Sequence, residues 1–209
     1  MTSPVTVLVV CEGNICRSPV AEVLLRTALD GAAGVQVASA GMRARVGSPV
    51  EAVMAELLQD LAPADFAARQ VTSAVVGRAA LVLTMTRDQR SALVQLAPGC
   101  LRRTFTVREF AELAFLVRAD GQGHEGSAAE RLAELTRLAP RYRDRRDAGR
   151  RRDDVEDPFG RSREEHVQAF EAIEAAVAGI AAAVLGASPD SLRPPAPRRP
   201  ATESAPVPA

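Results

Sequence analysis

Residues 5–19 read Val-Thr-Val-Leu-Val-Val-Cys-Glu-Gly-Asn-Ile-Cys-Arg-Ser-Pro, and this stretch decides the fold. The apolar run at 5–10 predicts a buried strand, and Ser18-Pro19 is a typical helix start. The strand would deliver Cys11 onto a tight loop that ends at Arg17. A cysteine after a strand, with an arginine just before a helix, indicates a nucleophile in an anion-binding loop.

The loop residues are of the types that an anion cradle needs. Backbone N–H groups pointing into one concavity favour negative charge, which would also stabilise a thiolate on Cys11. Gly13 and Asn14 tolerate the left-handed backbone of a tightly curled loop, and the planar Arg17 fork matches two phosphate oxygens. Ser18 could cap the helix or donate to the Cys11 sulfur. The predicted phosphate-binding residues are Glu12, Gly13, Asn14, Ile15, Cys16, Arg17 and Ser18.

The rest of the chain alternates strand and helix patterns, which predicts an α/β fold. The result would be a four-stranded parallel sheet flanked by helices, with the phosphate-binding loop after the first strand, at the carboxyl edge of the sheet. A last amphipathic helix would pack on the sheet through apolar residues from Val167 to Val184. The predicted strands are 5–10, 35–40, 79–84 and 104–107, and the predicted intervening helices are 19–30, 49–59 and 87–96.

Cys11 to Pro19 resembles the signature of the low-molecular-weight protein tyrosine phosphatases, a Cys, five residues and then Arg-Ser near the N-terminus. Residues 37–41, 68–72 and 80–85 are similar to further segments of that family. Asp157-Pro158-Phe159 resembles the family's Asp-Pro-aromatic loop. The resemblance covers most of 4–118 and 153–184. It implies the four-stranded fold and hydrolysis of phosphotyrosine through a cysteinyl phosphate, with Cys11 as nucleophile, Arg17 on the phosphate oxygens and Asp157 as general acid.

Taken alone, the charged segment at 151–160 is typical of a solvated loop. The presence of Cys11 and Arg17 reverses that interpretation, because a cysteinyl phosphate needs an acid for the leaving oxygen and then a base for water. Asp157 is therefore the predicted acid, and Phe159 the predicted apolar wall beside an aromatic substrate. Asp153, Asp154 and Glu156 are interpreted as surface charges.

Three other functions stay open. An arsenate reductase of this fold needs two further cysteines close together beyond the third strand, but residues 84–90 contain none and Cys100 stands alone. Phosphoarginine phosphatases resemble this chain but have threonine where Ile15 stands, and the bulkier isoleucine favours a flat aryl ester. A non-catalytic phosphate-binding or partner-binding module is disfavoured, because Cys11, Arg17 and Asp157 are all retained.

Composition limits the remaining classes of function. Twenty-six basic and 26 acidic residues give zero net charge, which offers no support for nucleic-acid binding. No cysteines and histidines have metal-ligand spacing, so neither a metal nor another cofactor is expected, and His124 and His166 are predicted to face solvent. Neither a signal peptide nor an apolar run as long as a membrane span is expected, since the run at 5–10 is short and no basic cluster precedes it. One of three cysteines must be a free thiolate, which favours a reducing cytoplasm.

The partner implied by the resemblance is a phosphotyrosine protein, either a tyrosine kinase or its target, with neither nucleic acid nor membrane. The oligomeric state stays open. The resemblance also implies a redox role for Cys16, since family members with this second loop cysteine form a reversible bond to the nucleophile. Such a bond would protect Cys11 from irreversible oxidation.

Two segments exceed the usual family length. Residues 119–150 form a predicted mobile insertion in a domain spanning 1–186, with a helical pattern at 128–138 and an arginine run at 141–146. The arginines are typical of a solvated loop, and the sharper hypothesis is a contact with an anionic partner or substrate. The Pro, Ala, Ser and Arg-rich residues 187–209 are predicted to be a disordered tail.

Overall fold

The structure is a computed structural model that describes residues 4–146 and 153–187. Its described part contains four strands and seven α-helices, with short 3₁₀ turns at Gln59–Leu61, Pro98–Arg103 and Ala139–Arg145. The strands are β1 (Val5–Cys11), β2 (Val35–Gly41), β3 (Leu81–Thr84) and β4 (Thr104–Thr106). The helices are α1 (Arg17–Ala28), α2 (Ala52–Leu58), α3 (Ser73–Arg78), α4 (Arg87–Leu96), α5 (Val107–Ala119), α6 (Ala128–Leu138) and α7 (Arg163–Leu185).

The four strands form one parallel sheet in the order β2-β1-β3-β4. Val10 pairs with Ala40 on one side and with Thr84 on the other, and Thr84 in turn pairs with Thr106. The carboxyl ends of all four strands therefore meet at one edge, where β1 ends at Cys11. The predicted α/β architecture, with its loop after the first strand, is confirmed.

Alternating side chains of the central strands divide the core into two layers. Val7 and Val9 join the larger cluster with α1, α5, α6 and α7, whereas Leu8 and Val10 join a smaller one with α3 and α4. Burial on both faces explains why β1 is a continuous apolar run rather than an alternating one.

Helix α7 corrects one expectation. By length and composition it could cross a membrane, so the expectation that no apolar run reaches that length was wrong. In the fold, however, α7 packs against α1 and α5 and buries Ile173, Ile180 and Val184 in the larger core cluster. Apolar core helices of globular proteins meet the same criterion, and its burial explains the composition.

The insertion also differs from expectation. The helical pattern at 128–138 is confirmed as α6, which begins with a capping box between Ser127 and Glu130. Leu132 and Leu135 are fully buried, and Tyr142 is nearly so. Side chains packed this way indicate local stability, so the interpretation of a mobile insertion was wrong for its described part. Residues 147–152 and 188–209, with nearly all of the predicted disordered tail, lie outside the described residues.

Helix boundaries show where local patterns were misleading. Helix α1 begins at Arg17, before the predicted Pro19, and its N-cap residue Cys16 makes no side-chain cap. The interpretation of Ser18 as a cap was therefore wrong. His166 lies on the inner side of α7 and is buried, contrary to the prediction, while His124 is exposed as predicted.

Candidate active site

The loop from Cys11 to Ser18 is held by its carbonyl groups. The carbonyls of Cys11, Glu12, Gly13 and Ile15 accept hydrogen bonds of 2.8–2.9 Å from backbone N–H groups of residues 42–51. Within the described part of the chain, the N–H groups of residues 12–16 donate no hydrogen bond. Carbonyls turned outward leave the N–H groups facing the loop interior, as an anion cradle requires.

Asn14 is the central residue of the loop, and its side chain is fully buried. Its Nδ2 donates to the Ser18 hydroxyl at 2.9 Å and to the Ser39 hydroxyl at 2.8 Å, while its Oδ1 accepts from the Arg69 N–H at 2.9 Å. The residue has a positive φ of 54°, the left-handed conformation that asparagine tolerates. Asn14 therefore fixes the loop through its side chain as well as through its backbone.

The nucleophile candidate receives one directed hydrogen bond. The Ser18 hydroxyl donates to the Cys11 sulfur at 3.0 Å, and both residues are buried. Asn14 Nδ2 donates to the same hydroxyl oxygen, so the single Ser18 proton points elsewhere, and the Cys11 sulfur at 3.0 Å is a nearer acceptor than the Ala40 carbonyl at 3.4 Å. Of the two predicted roles for Ser18, donation to the thiol is confirmed.

Arg17 joins the loop to the segment that carries the predicted acid. Its Nη1 donates to the Val155 carbonyl at 3.0 Å, and its Nη2 forms an ion pair with Asp157 Oδ2. Arg17 is only 2% exposed, yet its Nε has no partner among the described residues. A buried donor without a partner is costly, and such a group at a cradle of N–H groups indicates a place for an anion.

The segment that carries Asp157 is anchored to the rest of the fold by the side chains of Asp153 and Asp154. Arg146 bridges Asp153 and Glu112, and Asp154 Oδ1 accepts from the N–H of Arg87, at the start of α4, at 2.9 Å. Burial lowers the pKa of Arg146, but its hydrogen bonds to Asp153 and Glu112 outweigh burial and raise it. The interpretation of Asp153 and Asp154 as surface charges was therefore wrong, because both are partly buried anchors. Glu156 is exposed, as predicted.

Phe159 lies at the rim of the site and is 44% exposed. The guanidinium of Arg45, from the loop after β2, lies 4.3 Å from the centre of its ring. This cation–π contact joins the two sides of the rim. Glu12 is turned toward the same loop, where its carboxylate forms an ion pair with Arg43.

Cys16 lies beneath the loop in the larger core cluster. Burial, reinforced by the negative charge of Glu51, raises the pKa of the Cys16 thiol to about 12. The Glu51 carboxylate accepts from the Met54 N–H at 3.1 Å and lies 3.4 Å from His166 Nε2. Cys16 is thus a neutral thiol at physiological pH, and both loop cysteines are free thiols.

Sequence reasoning missed three residues that hold the site. Ser39 accepts from Asn14 and donates to Glu22 at 2.6 Å, and Arg69 donates through Nε to the Ser39 carbonyl at 2.5 Å. Gly41 lies so close that a Cβ there would be 2.7 Å from the Glu12 carbonyl oxygen. Segments 37–41 and 68–72 stood out in the sequence, but these contacts exist only between distant parts of the chain.

Comparison with known proteins agrees with this geometry. Residues 6–120 match the family model described as low molecular weight phosphotyrosine protein phosphatase. A probable low molecular weight protein-tyrosine-phosphatase, EpsP of Ralstonia nicotianae, is 35% identical over 132 residues, which are 62% of this chain and 87% of that protein.

Two solved structures show the same fold. The YwlE arginine phosphatase of Geobacillus stearothermophilus superposes with a TM-score of 0.61 at 26% identity, covering 85% of this chain and 91% of that one. Vibrio vulnificus Wzb in complex with benzylphosphonate gives a TM-score of 0.57 at 27% identity, covering 84% and 95%.

The fold and the loop define a cysteine-dependent phosphatase of the α/β class. Because the family model spans more than half of the 209 residues, the chain belongs to the low molecular weight phosphotyrosine protein phosphatase family.

Proposed function

We propose that the chain is a protein tyrosine phosphatase that hydrolyses aryl phosphate monoesters through a cysteinyl phosphate. The observation that carries the proposal is the convergence, at one loop, of the Cys11 sulfur, the buried Arg17 and the N–H groups of residues 12–16, which have no partner among the described residues. A phosphate dianion bound there would satisfy these donors and face the thiol.

The ion pair between Arg17 and Asp157 supports an order of events in which phosphate binds before Asp157 acts. The guanidinium edge that Asp157 contacts is one that phosphate oxygens would also use. A bound phosphate would compete for Arg17 and release Asp157 toward the leaving oxygen. Asp157 is 40% exposed at its side chain, so it has room to reorient.

The proposed hydrolysis then has two chemical steps, formation of the cysteinyl phosphate and its reaction with water. In the first, Asp157 takes up a proton from solvent once it has left Arg17. The Cys11 sulfur then attacks phosphorus as a thiolate, the bond from phosphorus to the phenolic oxygen breaks, and Asp157 gives that proton to the leaving oxygen. In the second, Asp157 takes a proton from water, the hydroxide attacks phosphorus, and the sulfur–phosphorus bond breaks to release phosphate. Loop N–H groups and Arg17 stabilise the charge on the three equatorial oxygens.

The competing functions receive less support. For arsenate reduction, Cys100 belongs to the core cluster on the other side of the sheet from Cys11, so it is badly placed to relay a disulfide. For phosphoarginine, the similarity to an arginine phosphatase is real, but Ile15 stands in the loop. The exposed Phe159 ring offers a flat apolar face to an aromatic leaving group.

The test replaces Asp157 with asparagine and compares two leaving groups. With phenyl phosphate, whose leaving oxygen needs a proton, kcat should fall by about 10²–10⁴-fold, the usual effect of removing a positioned acid. With p-nitrophenyl phosphate, a much better leaving group, the loss should be far smaller. Glu156→Gln, which neutralises the exposed neighbouring carboxylate, is the control and should leave both rates near wild type.

Equal losses of kcat with the two esters would refute Asp157 as the acid. Turnover of phosphoarginine faster than of phenyl phosphate by the wild-type chain would refute the assignment of substrate class. Cys11→Ser should abolish turnover of every substrate while keeping a cooperative melt, since the substitution is nearly isosteric.

Two further points belong to the same proposal. The physiological partner is a protein that carries phosphotyrosine, either a tyrosine kinase or its target. Similarity to protein-tyrosine-phosphatases such as EpsP of Ralstonia nicotianae and Etp of Escherichia coli supports a phosphotyrosine protein. The compartment is a reducing cytoplasm, a proposal supported by the requirement for a free Cys11 thiol beside a second free thiol.

A further inference from the structure

A cleft of about 830 Å³ lies at the opposite end of the sheet from Cys11. One wall is the turn Pro98–Arg103, which leads into the amino end of β4, and the other is α6 with the turn that follows it. Cys11 ends β1 at the carboxyl edge, so the cleft is separate from the catalytic loop. Its lining is Gly99, Leu101, Arg102, Arg103, Ala133, Thr136, Arg137, Pro140, Arg141 and Arg143.

The cleft concentrates positive charge in a chain whose net charge is zero. Half of its lining residues are arginines, and no aspartate or glutamate is among the described residues that line it. Two of the five guanidinium groups are neutralised from outside, Arg143 by Glu109 at 2.8 Å and Arg137 by Glu134 at 2.6 Å. The other three have no carboxylate within ion-pair distance in the described ranges.

Arg103 and Arg143 are held in place by contacts within the fold. Arg103 donates to the Gly99 carbonyl at 3.1 Å and also reaches the Val76 carbonyl at the end of α3. Arg143 lies over the Phe105 ring at 4.8 Å, besides its bond to Glu109. Arg102 and Arg141 are exposed and make neither hydrogen bond nor ion pair within residues 4–146 and 153–187. A positive surface on which two guanidinium groups have no partner within the described ranges favours an extended anion.

The rest of the lining narrows the kind of anion. Leu101 is 50% exposed, and Pro140 and Ala133 add apolar surface beside the arginines. No aromatic residue is among the described lining residues, so bases and sugar rings have no face to stack on. The Thr136 hydroxyl already donates to the Leu132 carbonyl at 2.8 Å. Carboxylates alternating with apolar side chains match this surface best.

The chain's own remaining segments do not match it. Residues 147–152 read Asp-Ala-Gly-Arg-Arg-Arg, and residues 188–209 contain three arginines against one aspartate and one glutamate. Both segments carry net positive charge, which the cleft would repel. The occupant therefore comes from another molecule.

We propose that this cleft is a docking site for an acidic, leucine-containing peptide segment of a partner protein. The arginines at 102 and 141 pair with its carboxylates, and Leu101 and Pro140 contact its apolar side chains. The site gives Arg141, the first residue of the arginine run at 141–146, a role outside the catalytic loop. Docking here is independent of phosphotyrosine hydrolysis, so either proposal can fail without the other.

The test uses the full chain and a fluorescein-labelled peptide that alternates glutamate and leucine, followed by fluorescence anisotropy. The double variant Arg102→Gln/Arg141→Gln should bind at least about 10-fold more weakly, because two charge-assisted contacts are lost. The matched control, Arg26→Gln/Arg163→Gln, removes two exposed arginines outside the cleft and should bind as wild type does. Binding should weaken as salt is raised, and phenyl phosphate turnover should be unchanged in both variants.

Several outcomes would overturn the proposal. One is no binding of this peptide by wild type at low salt beyond that of a glutamine–leucine peptide. A second is an equal loss in the two double variants, which would show bulk charge rather than a site. A third is tighter binding of a sulfated oligosaccharide or a single-stranded oligonucleotide through Arg102 and Arg141, which would assign the cleft to another class of partner.

Discussion

Replacing Asn14 with alanine tests whether its side chain is what shapes the phosphate loop. The change removes three hydrogen bonds, to Ser18, Ser39 and Arg69. Each contributes about 1 kcal/mol net, and an alanine at a φ of 54° adds about 1 kcal/mol of strain. The expected loss in the free energy of unfolding is therefore about 4 kcal/mol.

A loss of that size leaves most domains folded but marginal. For a chain of this length it should lower the melting temperature by about 8–16 °C. The Ser18 hydroxyl also loses the donor that directs its proton to the Cys11 sulfur, so kcat for phenyl phosphate should fall on the order of 10-fold. Thermal denaturation and steady-state kinetics measure the two effects separately.

Two controls divide the effect into its causes. Asn14→Gly loses the same three bonds without backbone strain, so it should be about 1 kcal/mol more stable than Asn14→Ala. Ser39→Ala removes only one of the three bonds to Asn14. If Asn14→Ala costs less than about 1 kcal/mol and keeps wild-type turnover, the side chain does not organise the loop and our account of it is wrong.

Four further predictions concern the loop and its supports. Gly41→Ala should disrupt the loop and greatly reduce phenyl phosphate turnover, because the new Cβ would lie 2.7 Å from the Glu12 carbonyl oxygen. Gly77→Ala, where the Cβ would meet open space, is the control and should keep wild-type turnover. Equal turnover by the two variants would contradict this prediction. Arg146→Ala should lower the free energy of unfolding by about 1–3 kcal/mol, because Asp153 and Glu112 lose their shared partner. Arg163→Ala, which removes an exposed ion pair, is the control and should cost less than about 1 kcal/mol. Urea titration measures both changes. The pKa of the Cys16 thiol is raised from 9.0 to about 12, so the stability that this thiol contributes is complete below pH 9 and is lost as pH rises toward 12. Urea titrations at increasing pH should show this fall in the free energy of unfolding for wild type but not for Cys16→Ser. Identical pH dependence in the two proteins would refute the prediction. After peroxide and then dithiol, wild type should recover turnover and Cys16→Ser should recover little, because a disulfide from Cys16 would protect the Cys11 sulfenic acid; equal recovery would exclude the redox role.

The sequence was sufficient for the parts of this protein that depend on local chain order. A continuous apolar strand is buried on both faces, which is typical of a parallel sheet. Because Cys11 follows that strand directly, the sequence alone predicted its position at the carboxyl edge of the sheet. The loop that follows is contiguous, so its candidate nucleophile Cys11 and its candidate anion-binding Arg17 could be predicted from their spacing. The same holds for α6, whose helical pattern at 128–138 lies within a dozen residues.

What the sequence left undecided depends on contacts between distant segments. Asp157 is one of four nearby carboxylates, and only the fold shows that it reaches Arg17 while Asp153 and Asp154 act as anchors. Burial of His166 and packing of the insertion were missed because local polarity does not reveal which surface a neighbouring element covers. The arginine cleft likewise exists only in three dimensions, because the turn at 98–103 and helix α6 meet across a gap of more than 20 residues in the chain. Local propensity fixes an element, but the partner of each charge is decided by which surfaces pack together to exclude water.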